Sequence, residues 1–111
     1  MEKRIALTNS NVKYNKLVRD KIPEYIRSRG GNPISHIASG EEYWQKLKEK
    51  LLEEFEEFKK DESKEEFADL LEVVDAIGDC KKFNKEEIIL IREKKVAERG
   101  AFKDRIILDE S

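Results

Sequence analysis

Two acidic motifs hold most of the chemistry that this chain can do: Glu53-Glu54-x-x-Glu57 and Glu66-x-x-Asp69. Carboxylates three residues apart on a helix share one face, with Cβ atoms roughly 5–6 Å apart. Four such groups brought face to face repel one another unless cations lie between them. Donor sets made only of oxygen suit Mg²⁺ or Mn²⁺, the ions that accompany phosphate chemistry. Glu54, Glu57, Glu66 and Asp69 are therefore candidate metal ligands. Basic side chains that could meet a phosphate fall in two groups: Lys16, Arg19 and Lys21 near the start, and Arg92, Lys95 and Arg99 at helical spacing near the end.

These residues must be positioned by helices. Asp20 is expected to cap a first helix over Lys21 to Ile26, where Pro23 is tolerable in the first turn. Gly30-Gly31 ends it, and 32–39 reads as a connector. A second helix is predicted from near Gly40 to about Lys60. At about 100° per residue, Tyr43, Trp44, Leu47, Leu51, Phe55 and Phe58 form one apolar stripe. Glu54 falls in the middle of it, and a carboxylate there costs several kcal/mol unless it is paired or bound to metal.

Asp61-Glu62-Ser63 breaks the pattern, and a third helix is predicted from about Lys64 to Gly78. Its stripe is Phe67, Leu70, Val73, Val74 and Ile77, with Glu66 inside and Asp69 on the flank. Glu57 and Glu54 lie three and six residues before Lys60, while Glu66 and Asp69 lie three and six after Ser63. In an antiparallel hairpin that symmetry sets Glu57 level with Glu66 and Glu54 level with Asp69. Asn84, with Glu87 three residues on, is expected to cap a fourth helix that Gly100 stops. Phe102 to Leu108 reads as an extended tail, and 1–15 as an arm. The fold class is all-α, a four-helix-type bundle in one domain over 1–111.

Each motif also has a plainer explanation. Most glutamate-rich runs are solvated helix faces, and Ser63-x-x-Glu66 is a capping box that accounts for Glu66 without chemistry. Glu53 can pair with Lys46 or Lys50 on the surface. A cationic last turn complements the helix dipole, which explains Arg99 well and Arg92 poorly. Lys16, Arg19 and Lys21 read equally as a surface cluster or a substrate clamp. His36 has no partner at useful spacing and is read as structural, and Cys80, at a helix end with no catalytic companion, is assigned no role. Glu54 in its apolar stripe and the mirrored second motif resist the plainer explanations.

Composition narrows the classes. Of 111 residues, 38% are hydrophobic and 43% charged, a thin core that favours completion of the fold by oligomerisation. Basic and acidic residues nearly cancel, 23 against 25, and their dispersion argues against a nucleic-acid polymer as partner. No run approaches a membrane span, and the charged start does not read as a signal peptide. One cysteine excludes an intrachain disulfide framework, and the cytoplasm is the expected compartment.

Taken in order, the motifs resemble those of the all-α nucleoside triphosphate pyrophosphohydrolases, the MazG-like superfamily. Lys16-Leu17-Val18-Arg19-Asp20-Lys21-Ile22-Pro23 looks like the opening of its phosphoribosyl-ATP-pyrophosphohydrolase-like branch. Glu66-Phe67-Ala68-Asp69-Leu70-Leu71-Glu72 resembles the second metal helix of that branch, and Lys95-x-x-x-Arg99-Gly100-x-Phe102 its closing segment. The histidine-pathway enzymes carry an aromatic-His pair where this chain has Leu71-Glu72, which favours a stand-alone enzyme acting on another nucleotide.

The resemblance implies a hydrolase that cleaves a nucleoside triphosphate or related nucleotide between its α- and β-phosphates. It implies Mg²⁺, with Mn²⁺ able to substitute, on Glu54, Glu57, Glu66 and Asp69. Glu53 and Glu54 are then the catalytic candidates, and Arg19, Lys21, Lys95 and Arg99 the substrate-binding ones. It implies a homodimer or homotetramer as well. The alternatives are a nucleotide sensor that does not cleave and an acidic helical interaction module.

Overall fold

The computed structural model describes residues 13–111. The arm read over 1–15 lies mostly outside them. Four helices follow in order: α1 (Ile22–Ser28), α2 (Gly40–Lys60), α3 (Lys64–Cys80) and α4 (Lys85–Arg99). No strand occurs among the described residues, so the all-α class holds. No helix there is long and apolar enough to cross a membrane. The chain groups into two units, one ending at Ile77 and one spanning Gly78–Ser111.

Local chemistry sets the helix ends. Ser39 Oγ accepts from the Glu42 amide at 3.3 Å to start α2, and Asn84 Oδ1 accepts from the Glu87 amide at 3.0 Å to start α4. Gly100 closes α4 at φ 85°, a conformation in which glycine avoids the Cβ clash. The start of α1 differs from the expectation. Asp20 does not cap it; Lys21 takes the cap position with no side-chain hydrogen bond. Pro23 in the first turn has no amide to satisfy, and the Ile22 amide donates to the Arg19 carbonyl at 3.1 Å instead.

α3 also runs past its expected end, through Gly78 to Cys80. A helical glycine loses more conformational freedom on folding than alanine does. A Cβ built at Gly78 meets no atom within 4 Å. Gly78→Ala is therefore expected to stabilise the protein by about 0.5–1 kcal/mol, read as a shift in urea midpoint at constant slope.

The core of the first unit is small. Leu47 is 1% exposed, Ile22 and Val73 8% each. Three stripe residues depart from the expectation: Phe55, Phe67 and Val74 are all about half exposed. The Phe67 ring meets Phe58 at a centroid distance of 5.8 Å, and the Lys59 ammonium lies over Phe55. An apolar stripe states which face seeks cover; how much cover it receives depends on what packs there.

Candidate metal and phosphate site

Helix α2 presents Glu53 and Glu54 on consecutive positions, and the three-residue break at 61–63 returns the chain along α3 with Glu66 and Asp69. One oxygen each from Glu54, Glu66 and Asp69 can be chosen so that all three lie within 4.8 Å of one another. Opposite ligands of an octahedral Mg²⁺ stand about 4 Å apart, twice the metal–oxygen distance, so the spread is close to what such an ion spans. Glu54 is 7% exposed and Glu66 only 1%. The donor set is all carboxylate, it is largely removed from water, and it fits a hard divalent cation.

Glu66 is not explained by capping. Ser63 Oγ accepts from the Glu66 amide at 3.2 Å, which is half of a capping box. The other half would use the Ser63 amide, but that group donates to the Asp61 carbonyl at 2.7 Å. The box is satisfied without the Glu66 carboxylate, which is turned into the core. Glu57 is not among the three clustered residues. Symmetry about a helical connection fixes facing partners only to within a turn, and here Glu54 meets both acids of α3.

The cations around the cluster come mostly from one segment that crosses it. The Lys46 ammonium donates to the Asn15 carbonyl at 2.8 Å, Lys16 donates to Glu53 Oε1 at 2.7 Å, and Arg19 donates to Asp69 Oδ1 at 2.8 Å. Residues 15–19 are thus tied to α2 and then to α3. Leu17, Val18 and Arg19 from that segment, with Leu47, Glu54 and Asp69, line a cleft of about 250 Å³. Glu72, also on α3, borders the same cleft.

Lys50 is the residue that sequence reasoning undervalued. It is 6% exposed, with its ammonium 3.5 Å from both Glu53 Oε2 and Glu54 Oε1. The expected Glu53–Lys50 pair exists, but it is part-buried instead of on the surface. The signal was present: Lys50 lies one turn before Glu54 on the flank of the apolar stripe. Lys16 was visible only as one member of a basic cluster. Lys21, the third member, is exposed at the start of α1. Lys95 and Arg99 are exposed on α4, in the second unit.

Burial pushes the Glu53 carboxyl up, but the hydrogen bond from Lys16 and the charges of Lys50 and Lys16 outweigh it and hold it below its usual range. A carboxylate depressed in the folded state stabilises the protein above its unfolded pKa. That contribution is lost as the pH falls through the lower folded value. Lys16→Met should therefore narrow the stability difference between about pH 7 and about pH 3 in metal-free protein. Urea midpoints at the two pH values in EDTA measure it, and an unchanged difference would remove Lys16 as the cause.

No family model matches the chain, and no solved structure matches it significantly. A protein of Mycolicibacterium smegmatis (strain ATCC 700084 / mc(2)155), described as uncharacterized, is 49% identical over 43 residues, which is 39% of this chain. The match spans 44% of that relative's length, and so supports kinship over a segment only.

Proposed function

We propose that this chain is a Mg²⁺-dependent nucleotide pyrophosphohydrolase of the MazG-like kind, with Mn²⁺ able to replace Mg²⁺. Its substrate is a nucleoside triphosphate or a related nucleotide, cleaved between the α- and β-phosphates to give the monophosphate and pyrophosphate. The observation that supports this most is the convergence of Glu54, Glu66 and Asp69 within 4.8 Å at a place where two of them are buried. An acidic docking surface for a basic partner is less well supported, because such a surface needs its carboxylates exposed.

In this reading Glu54, Glu66 and Asp69 hold the cation, and Glu57, one turn further along α2, is the fourth candidate ligand. A divalent ion bound there supplies charge neutralisation for the phosphates and a water of lowered pKa. Glu53 is kept ionised between two ammonium groups. A carboxylate of lowered pKa is a weaker base, so its role is to orient rather than to take the proton.

Arg19 is 44% exposed at its side chain and meets Asp69 through one of its nitrogens. A guanidinium has five donors in a planar fork, which leaves this one suited to a phosphate oxygen as well. Lys21 is a further phosphate contact in this reading. The cleft, at about 250 Å³, is below the range of about 300–1,000 Å³ usual for whole ligands. It suits the phosphate end of a nucleotide and leaves the base outside. The single cysteine is in keeping with the reducing cytoplasm.

The test is pyrophosphate release from a panel of standard and modified nucleoside triphosphates and phosphoribosyl-ATP, with Mg²⁺, Mn²⁺ or EDTA. Release that depends on the metal supports the reading and ranks the substrates. Folded protein that binds nucleotide with Mg²⁺ but releases nothing would make it a sensor instead.

A further inference from the structure

Glu54 and Asp69, two of the clustered carboxylates, each face a cation of the protein itself. The Lys50 ammonium stands 3.5 Å from Glu54 Oε1, and the Arg19 guanidinium donates to Asp69 Oδ1 at 2.8 Å. Lys50 lies one turn before Glu54 on α2, and Arg19 lies in the segment that precedes α1. Together the two side chains carry the charge of one divalent ion. Both of them also line the cleft that Glu54 and Asp69 line.

A lysine only 6% exposed is costly to bury, and the carboxylates beside it offset that cost. The same ammonium opposes any further cation on those oxygens. A divalent ion coordinated by Glu54 Oε1 would stand within about 6 Å of it. A divalent and a univalent charge about 6 Å apart repel by about tenfold in affinity even at the dielectric of water. The Arg19 side chain is 44% exposed, so salt screens it and the same repulsion falls to about threefold. Lys50, Arg19 and a divalent ion therefore compete for the same oxygens.

A side chain that yields its carboxylate does not leave the site. Lys50 and Arg19 are tethered at the wall of the cleft, and each carries several hydrogen-bond donors and no acceptor. The chemistry they would next meet is an anion rich in oxygen, and phosphate groups supply it.

We propose, given that Glu54, Glu66 and Asp69 are the metal ligands read above, that Lys50 and Arg19 are the exchangeable counter-ions of that site. Each gives up its carboxylate to the divalent ion and turns to a phosphate anion in the same cleft. Free Mg²⁺ is then held weakly, and a phosphate that engages the two cations strengthens its hold. Lys50 thereby joins Arg19 as a phosphate-binding residue, and the occupancy of the site answers to metal and anion together.

Calorimetric titration of the full chain, well below its melting temperature, tests this with Mg²⁺ alone and then with inorganic pyrophosphate at saturating Mg²⁺. Circular dichroism checks folding. Lys50→Met is expected to bind Mg²⁺ about 10-fold more tightly than wild type and pyrophosphate about 10-fold more weakly. Arg19→Met removes an exposed side chain, so it carries the test even where Lys50→Met does not fold. It is expected to tighten Mg²⁺ about 3-fold and to weaken pyrophosphate likewise. The opposite signs are the signature, since a residue that only holds the site in shape weakens both ligands when it is removed. Folded variants that bind Mg²⁺ no more tightly than wild type would overturn the exchange and leave the metal site standing. Absence of Mg²⁺ binding in wild type and both variants would overturn the metal site and the exchange together.

Discussion

Glu54→Gln is expected to cut metal-dependent pyrophosphate release by more than about 100-fold, since even groups that only support a metal ligand are worth about 10–100-fold. The substitution keeps the shape of the side chain and removes its charge, so the fold is expected to persist. A ligand that binds only the folded state adds about 2.7 kcal/mol when present at a hundredfold excess over its dissociation constant. For a chain of this size that is a rise in melting temperature on the order of 10 °C. Wild-type protein should show this rise with Mg²⁺ over EDTA, and Glu54→Gln should lose most of it. The two readouts separate the failures. An inactive variant that keeps the full thermal shift would move the metal away from Glu54, and a fully active one would remove the site.

Lys50→Met should have the largest effect on stability. The methionine preserves the apolar stem and deletes the ammonium that stands 3.5 Å from Glu53 and from Glu54. Removing one member of a buried pair costs about 3–5 kcal/mol, and the acid that loses most here is Glu54, since Glu53 keeps its hydrogen bond from Lys16. In EDTA the melting temperature is expected to fall by on the order of 10–20 °C. Mg²⁺ should recover part of that loss, because a cation held by the carboxylates takes over the compensation. Equal melting of wild type and variant in EDTA would show that the ammonium compensates nothing.

The sequence exposed the fold wherever the cause was local. Asn84 and Gly100 act within one turn of their own positions, and α4 begins and ends where those residues dictate. Asp20 failed as a cap because its neighbours intervene: Pro23 removes a donor, and the Arg19 carbonyl takes the Ile22 amide. Glu54 was legible as a charge in an apolar stripe, since periodicity alone places it there. Glu57 was harder to place, because its partners depend on how two helices settle against each other.

Lys50 was hidden by habit of composition. A lysine is usually solvated, and only the packing of α2 reveals that its whole side chain is covered. The same limit applies to Phe55 and Phe67. Their positions on the stripes are a property of the sequence, and their half-exposure is a property of the packing.

The separation along the chain between the interacting groups sets an order of assembly. α2 and α3 are joined by three residues, so their hairpin closes a short loop at small entropic cost. The contacts from Lys16 to Glu53 and from Arg19 to Asp69 span 37 and 50 residues, and must wait for much longer loops to close. Lys50 is three and four residues from its acids. During folding the carboxylates therefore come together with Lys50 already among them, before the N-terminal cations arrive. Lys50 thus does for the folding hairpin what the crossing segment later does for the finished one.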